Sequence, residues 1–343
     1  VTVTGGTGTN TVTVGSGYTG ALTVALAAGT DTVNGSAQTS GSLTVTTAQD
    51  SITSADTITG GSATDTLTIT GGGTALAAGD LTNVTAFSTI STSGNSTFGI
   101  TTNNNNVAAG TTVTFNANSM TSTVLTFDAS AEADGAFIVT ATGSGDHIIT
   151  GSAGADTITM GAGANTIIGG DKADTFTTAG GNDIIKWTGT TATLMAAETG
   201  AAKGTENNFS AGTIGDKVAD FTTGSDKFHF AAAALTNATG TETDTLNTIT
   251  SGGVVANTNR FVEVTTALAD NNMSTAIALL DGLTTSAVAV GDSFMTFLND
   301  GTDGYLYMVE QASTSDTIAA ADVTLIAQIT GITDVANGDF VSF

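Results

Sequence analysis

The sequence predicts an all-β chain: a parallel β-roll, or β-solenoid, with irregular β domains before it and a β-rich region carrying one short helix after it. Three observations lead there. A nine-residue unit runs five times over residues 142–186, Thr-apolar-Thr alternations fill the first 140 residues, and Gly numbers 44 of 343 while Pro and Cys are absent. A fixed short period is the signature of a solenoid. The expected division is 1–141, a Thr/Gly-rich irregular β-solenoid or β domain; 142–186, the repeat roll; 187–230, a loop and capping strands; and 231–343, a C-terminal β-rich domain.

In the first region VTVT, TVTV, LTVAL, SLTVTT, DTLTIT and TTVTF are separated by Gly, Asn and Ser clusters. Period two with β-branched residues is a strand pattern. One Asp/Asn-Thr-apolar tripeptide recurs as Asn10-Thr11-Val12, Asp31-Thr32-Val33, Asp56-Thr57-Ile58 and Asp65-Thr66-Leu67, and GTGTNTV at residues 6–12 is a degenerate copy of the nine-residue unit. An irregular solenoid with occasional cation sites, Asp56 and Asp65 among their ligands, is expected, with a polar-faced β-sandwich as the alternative. Asn103 to Asn106 and Gly110 mark an exposed loop.

The repeats are TGSGDHIIT, GSAGADTIT, MGAGANTII, GGDKADTFT and TAGGNDIIK. Place four is Gly145, Gly154, Gly163, Lys172 and Gly181; place six is His147, Asp156, Asn165, Asp174 and Asp183; place eight is always apolar. Each unit reads as a six-residue turn, where Gly permits positive φ, followed by a three-residue strand whose middle side chain points inward. Two units make a coil, so place six returns to one side every eighteen residues: His147, Asn165 and Asp183 on one side, Asp156 and Asp174 on the other. Rungs stack about 4.8 Å apart. Carboxylates that close repel by roughly 1 kcal/mol in water and about 3 kcal/mol at an effective dielectric near 20. A hard divalent cation with oxygen ligands at about 2.4 Å fits between them, so calcium is the expected ion.

The nonapeptides resemble the RTX family of calcium-binding β-rolls, with its G-G-x-G-x-D-x-U-x repeat; GSAGADTIT matches best. The resemblance implies that Asp156 and Asp174 share an ion with carbonyls of turns 151–154 and 169–171, which include Gly154 and Asp171. It makes Asp183 with Asn165 a weaker site, and Gly163, Gly181 and Asp146 turn ligands beside them. His147 and Lys172 depart from the pattern, so two or three ions are expected in the roll rather than five. The plain alternative is that these Asp and Asn residues cap Gly turns.

Beyond a looser stretch with a short helix near residues 194–198, GDKVADFTTGSDKFHF places Val218, Phe221, Phe228 and Phe230 inward and Asp216, Asp220 and Asp226 toward the turns. It is similar to the D-x-[IV]-x-D-F-x-x-G-x-D-x-[IF] segment closing RTX rolls exported by type I machinery. That likeness implies that Asp220 and Asp226 bind a last ion and that the strands cap the roll; a simple hairpin turning at Gly224 is the alternative. Residues 274–283 carry apolar residues at helical spacing behind Ser274 as N-cap, and FMTFLNDGTDGYLYMVEQ is a hairpin. The tail, ending Asp339-Phe340-Val341-Ser342-Phe343, resembles an uncleaved type I secretion signal.

A net charge of −25, with six basic residues and none before Lys172, argues against nucleic-acid and anionic-membrane partners and favours bound cations. No apolar run reaches a membrane span, and Val at the first position suggests a processed or truncated piece. There is no H-E-x-x-H, G-x-S-x-G, P-loop or Cys nucleophile, so the expectation is not an enzyme. Composition and tail together look like Gram-negative surface-layer proteins. The function expected is a secreted, self-assembling, calcium-dependent structural protein of the cell surface, with type I machinery and a cell-surface polysaccharide as further partners. The alternatives are the C-terminal module of a large RTX adhesin and the secretion tail of a hydrolase.

Overall fold

The computed structural model describes residues 1–61, 64–191, 197–198, 215–235, 243–256, 259–270, 273–281, 284–286, 291–311 and 318–343. It is all-β, with long parallel sheets of the kind a β-solenoid has. Two compact units divide the chain, Val1–Asn165 and Thr166–Phe343. The division falls inside the nonapeptide run, and coiling starts well upstream of residue 142.

In the first unit one parallel sheet runs, in chain order, through Thr2–Thr4, Ala21–Ala25, Ser42–Ala48, Thr66–Thr70, Thr89–Ser93, Thr112–Asn116, Ala136–Ala141 and Thr157–Met160. A second holds Thr11–Thr13, Thr32–Asn34, Thr57–Thr59 and Val84–Thr85, and a third holds Phe98–Thr101, Leu125–Asp128 and Ile148–Thr150. Alternate strands thus enter different sheets, as a coil of stacked rungs requires. Period two follows: Val24, Val45, Leu67, Ile90, Phe115, Val139 and Ile158 form one inward column, all buried. Burying such side chains stabilises by about 1.5–3 kcal/mol each. Phe127 packs between Phe115 at 4.7 Å and Phe137 at 5.2 Å.

Outside this apolar column stand two polar ones. The first is Thr2, Thr23, Thr44, Thr66, Thr89 and Thr114, then Ile138 and Thr157; the second, two residues on, is Thr4, Ala25, Thr46, Thr68, Ser91, Asn116, Thr140 and Thr159.

The turn glycines correct one expectation. Gly145, Gly154 and Gly163 are not among the residues with positive φ. They are Gly because the rungs touch: a Cβ on Gly154 would stand 2.1 Å from the Gly135 carbonyl oxygen, and one on Gly163 2.0 Å from that of Gly145. Left-handed backbone does occur at Gly181 (φ +135°) and at Lys172 (φ +71°), the latter strained for a residue with a Cβ. Asn106 corrects another: instead of lying in an exposed loop it is buried, donating to the carbonyls of Leu81 at 2.9 Å and Val84 at 2.8 Å.

In the second unit Thr166–Ile168, Ile184–Trp187, Lys227–Phe230 and Phe340–Ser342 form a parallel sheet. Thr166 faces Ile184, the eighteen-residue coil expected of two nonapeptides. Another sheet runs Thr175–Thr177, Asp216–Ala219 and Val323–Ile329 in parallel, then Gly304–Glu310 antiparallel to both Val323–Ile329 and Ser293–Asn299, then Asn259–Val264 and Thr243–Ile249. Val218, Phe221, Phe228 and Phe230 are buried as expected. Their strands do not pair with each other, so they form a coil rather than a hairpin. Nor do they cap the roll, because Val323–Ile329 and Phe340–Ser342 stack onto them.

The hairpin Ser293–Asn299/Gly304–Glu310 forms as expected. Both strands are buried on both faces, because the helix Met273–Asp281 sends Ala276 and Leu280 into a cluster with Phe294, Leu298, Tyr305 and Tyr307. The helix reading had run to residue 283, and residues 282–283 lie outside the described residues. So does most of the short helix near 194–198. Among the described residues no helix is long and apolar enough to cross a membrane.

Candidate metal centre

Many of the coil turns end in an acid or amide one residue before a strand, as at Asp31, Asp56, Asp65, Asp156, Asn165, Asp174, Asp183 and Asp226, and these side chains are buried. Asp156 is the clearest case. Its Oδ1 accepts the Phe137 N–H of the preceding rung at 2.5 Å, and its Oδ2 accepts the Ser152 N–H of its own turn at 2.5 Å. Ser152 Oγ donates at 3.0 Å and also reaches the Gly135 carbonyl. One carboxylate therefore closes its own turn and ties it to the preceding rung.

The pattern recurs. Asp56 accepts from Asp31 N–H at 2.7 Å and Thr53 N–H at 2.8 Å; Asp65 accepts from Leu43 N–H at 2.7 Å and from Gly61 N–H; Asp226 accepts from Asp183 N–H at 2.9 Å and Thr222 N–H at 2.7 Å. Asn165 does the same through Oδ1 to His147 N–H at 3.0 Å, while its Nδ2 donates to the carbonyls of Gly161 and Gly163. Even His147, which departs from the repeat, takes the rung-linking role: its Nδ1 accepts from Leu125 N–H at 3.0 Å. Place six thus wants an inward acceptor, which Asp, Asn and neutral His all supply.

The remaining expected ligands separate into classes. Asp174 and Asp183 are buried in the second unit, and each donates its own N–H to the next acid, Asp216 and Asp226, at 2.9 Å. Asp146 is exposed and accepts from Ala164 N–H at 2.8 Å. Asp171 and Asp220 are exposed, Asp220 with left-handed backbone (φ +64°). Gly154 and Gly163 are buried stacking glycines, whereas Gly181 is exposed. Asp56 and Asp65, though nine residues apart, precede strands of two different sheets and are not brought together. Asp220 and Asp226 likewise diverge, one outward and one inward.

Four inward acids lie outside the set of ligands that the sequence predicts. Asp31 stands in the recurring tripeptide and accepts from Asn10 N–H and Nδ2. Asp216 accepts from Asp174 N–H and from Trp187 Nε1 at 2.7 Å. Asp339 accepts from Gly224 N–H and Ala336 N–H, with Lys227 Nζ at 3.7 Å. Its G-D-x-apolar surroundings repeat the nonapeptide signal inside a tail read as an export address. Glu132 has no such signal; its Oε1 accepts Gly135 N–H at 2.9 Å.

Burial makes these acids costly when charged. It pushes the Asp156 carboxyl up to about 6, with Glu132 adding to the rise and the amides opposing it. Burial likewise drives Asp216 well above the usual carboxylate range and raises Asp226, where Asp339 contributes. It lowers His147, keeping the imidazole neutral and its Nδ1 an acceptor.

Whether calcium fits was tested on the donors. They are oxygens, which calcium takes; Asp31 Oδ2 and Glu132 Oε2 are buried without a hydrogen-bond partner among the described residues; and no basic side chain occurs before Lys172 to neutralise them. Among the described residues, however, no three acidic or His side chains converge as a metal-holding group, and Asp156 has both oxygens on amides. The donors are of the oxygen type that a hard cation takes. Compared with known proteins, the chain matches no family model, no curated protein and no solved structure.

Proposed function

We propose that this chain is an extracellular, calcium-dependent structural protein that is exported by type I machinery and assembles with copies of itself at the cell surface. The observation carrying the proposal is the run of inward carboxylates, Asp31, Asp56, Asp65, Glu132 and Asp156, in a unit without a single Lys or Arg. Backbone amides satisfy their geometry but leave net negative charge inside. Calcium, when bound, supplies the positive charge; at separate turns, Asp156 with Glu132, and Asp31 apart from them, in the first unit, and Asp174, Asp183 and Asp226 in the second, would hold it.

The chain's own residues do the rest. The inward acceptors position successive rungs, the stacking glycines let them touch, and the apolar column excludes water between the sheets. Where calcium is scarce, the acids repel and the chain stays threadable; at the roughly millimolar level outside cells, near the affinities of extracellular modules, it folds.

Electron microscopy of the purified chain tests this, with about 1 mM calcium and again after chelation. Ordered sheets or filaments in calcium alone are expected. Dispersed folded monomers in calcium would favour the adhesin module, and compact structure persisting in chelator would remove calcium from the proposal.

A further inference from the structure

The outward face of the long first-unit sheet has no part in the acid ladder, and its composition is unusual for so acidic a chain. Both outward columns, across eight rungs, consist of Thr, Ser, Asn, Ala and one Ile, with no charged and no aromatic side chain. The register between neighbouring rungs from Thr2–Thr4 to Thr157–Met160 is continuous within each pairing, without a bulge. The hydroxyls and methyls therefore repeat in two directions, about 4.8 Å from rung to rung and about 6.7 Å along each strand. One cross-rung hydroxyl bond, Thr68 to Ser91 at 3.0 Å, lies within the second column, and another, Thr70 to Ser93 at 2.8 Å, lies beside it.

β-Branched Thr is stiff at χ1, so a column of Thr presents hydroxyl and methyl at fixed places without an ordering cost on binding. Core packing does not require this regularity, since the outward positions are free of the inward column. A solvated outer face would normally carry the charges that this chain has in excess.

We infer that this face binds ice. Ice offers water oxygens in rows with repeats close to those two spacings, and a surface engages it by ordering its own hydration in the same lattice. Fixed methyls cage the waters, hydroxyls anchor them, and the lack of charge leaves them free to take up ice-like orientations. Other ligands fit less well. Crystalline polysaccharides are gripped by aromatic platforms, which the face lacks, and mineral or anionic surfaces call for charge. The inference needs only a folded first unit and does not rest on self-assembly.

The test is ice-crystal shaping and thermal hysteresis of the full chain in calcium, with circular dichroism to establish folding. Thr66→Tyr places a bulky ring in the middle of the first column, Thr44→Lys places a charge beside it, and Thr126→Tyr puts the same ring on an exposed site of a different sheet. Faceted crystals and measurable hysteresis are expected from the wild-type chain, lost in T66Y and T44K and kept in T126Y. A folded protein that neither shapes ice nor gives hysteresis overturns the inference. So does loss of activity in T126Y equal to that in T66Y, or an effect of T66Y confined to assembly, which would make the face a contact between copies.

Discussion

The rungs of the first unit and the antiparallel strands 293–299, 304–310 and 323–329 of the second reach stability by different routes. In the rungs a strand buries at most three side chains, and rung-to-rung order depends on buried polar acceptors and on glycines that touch carbonyls. In the antiparallel strands nearly every residue is buried: Leu298, Tyr305, Tyr307 and Leu325 share one apolar cluster, and Phe297 and Leu306, paired across the hairpin, are buried as well. Under the proposed calcium dependence, the first route would respond to ions and the second would not. The contrast teaches that period and acidity, rather than hydrophobic content, are where such a response is to be sought.

The largest effect should come from the apolar region. Phe297→Ala removes a fully buried ring and should cost about 3–5 kcal/mol, equally in calcium and chelator, by denaturant unfolding. Next, Gly154→Ala drives a Cβ against a carbonyl and should cost about 3 kcal/mol, whereas Gly180→Ala, which meets nothing within 4 Å, should stay within about 0.5 kcal/mol. Equal effects from the two would break the stacking explanation.

Asp156→Ala strands two buried amide donors and should cost about 1–3 kcal/mol. Asp156→Asn should lose about half as much, because one acceptor remains, as Asn165 demonstrates in the neighbouring turn. In calcium titrated by calorimetry, both should weaken binding alike if the charge matters.

The smallest effect is a pH dependence outside the ladder. Burial, with Asp334 beside it, pushes the Glu263 carboxyl up to about 7. A raised carboxyl favours the protonated folded state, so its contribution is full below the ordinary value near 4.5 and is lost as pH rises through about 7. Glu263→Gln should therefore leave stability unchanged at pH 4 and raise it at pH 8 by about 1 kcal/mol, read from thermal unfolding at each pH.

Much of the architecture was legible. The all-β class, the two-nonapeptide coil and the inward apolar place follow from period alone, because a period-two strand and a Gly turn leave few alternatives. The place-six residues were found, but their surroundings were not. That Asp156 would meet Phe137 N–H rather than only a cation depends on the path of a preceding turn that is no nonapeptide. Glu132 was invisible for the same reason. The glycines were attributed to φ when contact between rungs, a property of the stack and not of the chain, dictates them. The closing segment was taken as a cap because the strands that continue it lie about a hundred residues away in sequence, at Val323–Ile329 and Phe340–Ser342.

Hydrogen exchange of individual amides, in calcium and in chelator, would test the ion-responsive ladder most directly. The amides held by acids, those of Asp31, Leu43 and Phe137, should be protected in calcium and exchange rapidly in chelator, while those of Leu298 and Leu306 change little. Equal protection of both sets in the two solutions would show that the carboxylates hold the rungs without any cation, and would contradict calcium-dependent folding.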